Sequence, residues 1–237
     1  MLWYKGWLET RFKVLFTLDM VAFFLAVQYS TRSSSVRPNS KAGAIVLLAV
    51  LFGNGILATM TCVMLAAAGI ATQPTFQASK GLHGSTLFTL SLPVSRLRLL
   101  AVRAAVGGFE GIAIIAMLCW GTWLLSPLLR ATVPPAEMAE YAATLIACCS
   151  VLYFLSVLLA TFLDDQWRTW GTMIAAVAIW WLSHKAWLPA SIDIAQAIGK
   201  SSPLIAHTMP WAAMAFSIAL AAAFSFAALK VVQTREY

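Results

Sequence analysis

The chain has 237 residues, 61% of them hydrophobic and 11% charged, with a mean hydropathy of +0.81; a soluble domain averages about half apolar and about a quarter charged. This is the composition of an integral membrane protein, and at about 20 residues per crossing plus short connections the length could hold roughly six spans with almost nothing left for a soluble domain, which excludes a fused soluble enzyme. The net charge of +7 is dispersed over the connections, which points to membrane anchoring and away from nucleic acid.

The first segment, residues 2–13, places Trp3, Tyr4, Trp7, Leu8 and Phe12 on one half of a helical wheel and Lys5, Glu9 and Lys13 on the other. That pattern predicts an interfacial helix lying in the headgroup region. The charges at Lys5, Glu9, Arg11 and Lys13, and the lack of an A-x-A site after the first apolar run, speak against a cleavable signal. Apolar runs at 14–30, 42–71, 99–125, 138–163, 167–188 and 208–229 then predict six transmembrane helices in a single 1–237 transmembrane domain. With the N-terminus inside, the inner connections hold more Lys and Arg than the outer ones, so both termini are expected in the cytoplasm.

The connection at 72–98 reads TQPTFQASKGLHGSTLFTLSLPVSRLR, about 27 residues where helix bundles use two to eight. Gly81 and Gly84 can break structure, Ser85 or Thr86 can cap a helix, Leu87, Phe88, Leu90 and Leu92 give it apolar knobs, and Pro93 stops it. The product is a short amphipathic helix that rests either on headgroups or against a partner.

Three charges fall inside apolar runs: Asp19, Arg103 and Glu110. Each costs about 2.5–3.5 kcal/mol at a helix centre unless paired or hydrated. With spans starting at 14 and 99, Asp19 and Arg103 are expected at equal depth, as an ion pair. Glu110 lies deeper on the same face as Arg103, either as a pathway or gating group or as a carboxyl bonded to Asn54, Ser or Thr of a neighbour. Ala104, Gly107 and Gly111 form a small-residue stripe that invites close approach of another helix.

Between the fourth and fifth spans, Asp164, Asp165, Gln166, Trp167 and Arg168 make a short connection, read as a second cytoplasmic contact or as a tight turn in which Asp165 caps the fifth helix. The outer segment 183–209 is divided by Pro189 and Pro203 and bounded by Pro210, with Ile192, Ala195 and Ile198 on one face against Asp193, Gln196 and Lys200. It predicts a pair of short interfacial or re-entrant helices. Cys62, Cys119, Cys148 and Cys149 read as packing residues, and the scattered histidines offer no metal motif. No catalytic constellation is found. Gly199-Lys200-Ser201 resembles the end of a phosphate-binding loop, but Ile194 stands where that loop needs glycine. The chain is not expected to hydrolyse ATP itself.

The run Gly84-Ser85-Thr86, then Leu90-Ser91-Leu92-Pro93-Val94-Ser95-Arg96, followed by the basic start of the third span at Arg98 and Arg103, resembles the cytoplasmic loop of ABC-2 type transporter permeases. The outline of the chain is similar throughout: an N-terminal amphipathic helix, six spans, a long first cytoplasmic loop, a short second one and helices before the last span. Where that family often carries a Glu-Arg-Glu stretch, this chain has Ala78, Ser79, Lys80 and Gly81. The resemblance implies an all-α permease subunit in the inner membrane, paired with a second permease chain as a homodimer. Two separate ATP-binding subunits would carry the ATP and Mg, no cofactor being expected in this chain. It further implies that Gly84, Ser85, Thr86, Leu87, Phe88, Leu92, Pro93 and Arg96 couple to the ATPase, with Asp164, Asp165 and Arg168 as a smaller contact. Export is implied, and with ten Trp and thirteen Phe an amphiphilic cargo such as a lipid, peptide or drug-like molecule is expected. The competing classes are an ion-coupled secondary transporter, for which no internal repeat is found, and a structural membrane subunit, which leaves the long connection unexplained.

Overall fold

A computed structural model describes residues 2–30, 41–66, 95–163, 165–184, 187, 189 and 191–234. The described residues form α-helices joined by turns: α1 (Leu2–Ser30), α2 (Lys41–Leu65), α3 (Arg96–Leu125), α4 (Pro127–Thr132), α5 (Pro135–Leu159), α6 (Asp165–His184), α7 (Ile194–Ile198), α8 (Pro203–Ala206) and α9 (Trp211–Thr234).

Local chemistry sets most of the boundaries. Ser95 caps α3, its hydroxyl accepting from the Arg98 amide. Ser126 separates α3 from α4: its amide donates to the Thr122 carbonyl to close one helix, while its hydroxyl accepts from Leu129 to open the next, with Pro127 at the first helical position. Pro135 opens α5 with Glu137 in its first turn, where the helix dipole favours a carboxylate. Hydroxyls within the apolar stretches are satisfied by the carbonyl four residues back, as at Thr17, Thr61, Thr122, Thr144 and Ser217; in a solvent without hydrogen bonds this is the nearest partner.

Among the described residues, five helices contain stretches long and apolar enough to cross a membrane: Thr10–Tyr29, Leu48–Leu65, Leu97–Leu125, Pro135–Leu159 and Trp211–Thr234. The expected sixth, α6, has 20 residues, about 30 Å at 1.5 Å per residue. Its apolar run is confined to 173–182 because Gln166, Arg168, Thr169 and Thr172 occupy the first turns. The N-terminal segment also differs from expectation: residues 2–30 make one continuous helix rather than an interfacial helix followed by a span. The last glycine before Ser30 is Gly6, and no proline intervenes, so nothing breaks the helix.

The helices alternate in direction around α5, which is buried along most of its length through Met138, Tyr141, Leu145, Cys149, Tyr153 and Val157. α1 and α3 run parallel, since Thr10 meets Glu110 and Leu25 meets the backbone at Gly121. α2 is antiparallel to α3, with Asn54 beside Thr122 and Leu65 beside Gly107. α9 returns along α3, bringing Lys230 beside Arg98. One end of the bundle therefore holds the starts of α1, α3 and α6 and the finishes of α2, α5 and α9. We refer to it as the convergent end.

The 183–209 segment contains the two short helices anticipated, α7 and α8. Their buried face is not the one expected: Asp193, Ile194 and Ala197 turn inward while Ala195 and Gln196 are half-exposed. Asp193 is responsible, because its Oδ1 caps the amides of Ala195 and Gln196 and so enters the bundle with the helix start. α7 packs on α5 at Cys148 and Val151, and Ile198 sits over Gly55 of α2, well inside the length of both helices. His207, at φ 50°, closes α8 and bonds through Nδ1 to Glu137 Oε1 at 3.0 Å, pinning α8 to the start of α5.

Candidate functional site

The convergent end concentrates the polar chemistry of the interior. Glu110, half-buried on α3, accepts a hydrogen bond from the Thr10 hydroxyl of α1 at 2.8 Å. Nearly two turns earlier on α3 the Ala104 carbonyl accepts from the Tyr153 hydroxyl of α5 at 2.6 Å, and Glu110 and Arg168 both lie near enough to Tyr153 to interact with it electrostatically. Arg168, on the first turn of α6, is 1% exposed and donates through its guanidinium to the Ala66 carbonyl, just past the finish of α2. The last carbonyls of a helix have no partner within it and carry partial negative charge. A buried guanidinium that caps them is thus a stable solution, and Arg168 locks the finish of α2 to the start of α6.

Close backbone approach completes the cluster. Gly107 of α3 is buried against the last turn of α2: a Cβ there would collide with the Leu65 carbonyl oxygen and come within 2.9 Å of the Tyr153 hydroxyl. The small-residue stripe of Ala104, Gly107 and Gly111 is therefore a helix-packing surface, with α2 and α5 as the helices that approach.

The residues singled out from sequence divide into three groups. Gly84, Ser85, Thr86, Leu87, Phe88, Leu92, Pro93 and Asp164 lie outside the described residues. Arg96 is the first residue of α3 and Asp165 the first of α6. The described members do not assemble as expected. Arg168 is turned into the bundle as the cap of α2, so it is not a surface contact. Asp19 and Arg103 are not a pair either. From the shared level of Thr10 and Glu110, Asp19 lies about nine residues onward in α1 and Arg103 about seven residues back in the parallel α3, about 24 Å apart along the bundle. The expectation assumed that the first span starts at 14, whereas α1 begins at Leu2 and its Thr10 is level with Glu110. Asp19 is exposed on the outer face of α1 between Phe16 and Phe23, and Arg103 is half-buried and engaged elsewhere. Glu110 bonds to Thr10 of the neighbouring α1, while Asn54 faces Thr122 at 3.3 Å.

Sequence reasoning missed Thr10, Tyr153 and the capping role of Arg168. For Arg168 there was a signal, since an arginine at the head of an apolar run can reach back to a helix finish. For Tyr153, set in a continuous apolar run, there was none.

The site lies where the connection between α2 and α3 departs at Ala66 and returns at Ser95. Arg168 ties α6 to the finish of α2 where that connection departs, and Tyr153 ties α5 to Ala104 of the helix into which it returns. Comparison with protein-family models, curated proteins and solved structures finds no match to the chain.

Proposed function

We propose that the chain is the membrane permease subunit of an ATP-driven transporter of the ABC-2 type, an exporter of an amphiphile, worked by separate ATP-binding subunits through residues 84–96. The observation that carries this reading is that Arg168 fastens Ala66, where the 67–94 connection departs, and Tyr153 fastens Ala104 of α3, the helix into which that connection returns. A push on the connection is delivered to Ala66 and Ser95, and through Arg168 and Tyr153 to α6 and α5, so four helices respond as one. A chain without a phosphate-binding loop needs such a lever to be driven from outside.

In this reading α6 is the sixth span. Its support is the outward row of Trp167, Trp170, Ile174, Val177 and Trp181, all exposed and spaced as one helical face. The convergent end is the cytoplasmic one, which gives N-in and C-in topology in the inner membrane, and α7 and α8 close the outer end. A second permease chain is supported by Asp19, an outward carboxylate at the middle of the Thr10–Tyr29 stretch that would cost about 2.5–3.5 kcal/mol against lipid.

The test introduces charge at the apolar knobs, Leu87→Asp and Leu92→Asp, in the complex with its ATPase. Both variants should keep the helical bundle but lose binding of the ATPase subunit or cargo-stimulated ATP turnover. Normal turnover and transport in both would remove the coupling role. Transport that persists without any ATPase would point to an ion-coupled carrier instead.

A further inference from the structure

On the outer side of the convergent end, α3 and α9 leave a groove of about 410 Å³ between them. Its walls are apolar, formed by Leu97, Ala101, Phe226 and Leu229, and its rim carries Arg98, Lys230 and Gln233. Arg98 stands at the start of the apolar stretch of α3 and Lys230 in the last turns of that of α9. Both cations are exposed, and among the described residues no carboxylate pairs with either. Two like charges on one groove repel unless an anion lies between them.

We propose that this groove binds an anionic phospholipid. The phosphate sits between Arg98 and Lys230 with Gln233 as a further donor, and an acyl chain runs along Ala101 and Phe226. Three features select a lipid over a free phosphate. The cations lie at the ends of membrane-length apolar stretches, where headgroups are found; the groove below them is apolar; and it opens to the outside of the bundle rather than inward. Bound there, the lipid bridges the first turn of α3 to the last turns of α9, next to the point where the 67–94 connection returns. The inference does not depend on the transporter reading.

The experiment is a thermal-shift titration of the purified full-length protein in neutral detergent. The probes are dioctanoyl phosphatidylglycerol, dioctanoyl phosphatidylcholine and inorganic phosphate. Phosphatidylglycerol should stabilise saturably and the other two should not. Arg98→Gln with Lys230→Gln should weaken the apparent affinity about thirtyfold, the combined loss of two cations' attraction to one phosphate. Ala101→Trp should fill the groove and abolish the shift with both cations in place, while Lys200→Gln, an exposed lysine just past α7 and not among the groove's residues, should leave it unchanged. Equal stabilisation by phosphatidylcholine or by phosphate alone would overturn the proposal. So would an undiminished phosphatidylglycerol shift in the double variant or in Ala101→Trp.

Discussion

Two adjacent glycines of α3 make opposite predictions from one helix. An alanine methyl at Gly107 would collide with the Leu65 carbonyl oxygen and stand 2.9 Å from the Tyr153 hydroxyl. The first obstacle is backbone and cannot rotate away. The second is engaged, since Tyr153 donates to Ala104 at 2.6 Å. Relieving the clash means moving α3 off α2, an overpacking cost of about 1–3 kcal/mol, and disturbing the Tyr153 bond adds about 0.5–1.5 kcal/mol. Against this stands the helix-propensity gain of about 1 kcal/mol for glycine to alanine. At Gly108 the methyl would meet the Tyr153 ring at 3.7 Å, an ordinary contact, so the propensity gain stands alone. Comparing Gly107→Ala with Gly108→Ala cancels that gain and isolates packing, and the expected gap is about 2–4 kcal/mol, with Gly107→Ala the less stable. Reversible unfolding in mixed micelles titrated with dodecyl sulfate, followed by helical circular dichroism, measures it. Equal stability of the two variants would refute the close approach of α3 to α2.

Two further predictions concern the same end of the bundle. Thr10→Val should destabilise by about 1–2 kcal/mol through loss of the donor to Glu110, Thr10→Ser should retain most of the stability, and a double-mutant cycle with Glu110→Met, which has no oxygen to accept the bond, should show a coupling of at least about 0.5 kcal/mol; additive effects would remove the bond. Arg168→Met keeps the bulk of the side chain but leaves the Ala66 carbonyl uncapped, and should cost about 1–3 kcal/mol in the same unfolding assay. A variant with unaltered unfolding that nevertheless failed to bind an ATPase subunit would restore Arg168 as a surface contact.

The convergent end also shows why charges within apolar runs have to be read in three dimensions. Arg168, Glu110 and Asp19 all interrupt apolar sequence, and each has a different fate. Arg168 finds a helix finish, which needs a cation. Glu110 finds a hydroxyl on a helix that runs alongside its own. Asp19 faces outward, level with the middle of an apolar stretch. The carboxylate group is common to both, and the neighbouring helix distinguishes their fates.

What could be determined from the sequence was whatever depends on near neighbours along the chain. Five of the six expected spans fall on described helices long and apolar enough to cross a membrane, because length and apolarity belong to consecutive residues, and Pro210 bounds the last helix from within one turn. The stripe of Ala104, Gly107 and Gly111 was legible because glycine leaves a backbone bare whatever lies opposite. The tertiary structure alone decided what lies opposite. The depth of Asp19 relative to Arg103 depends on the register of α1 against α3, which is set by Thr10 on Glu110 and Leu25 on Gly121, contacts close to a hundred residues apart in the chain. The inward turn of Arg168 depends on where α2 finishes, and that of Asp193 on the contact of α7 with α5. A polar group within apolar sequence must find a partner, but the pattern of its own helix specifies only that need, and the packing of the other helices supplies the answer.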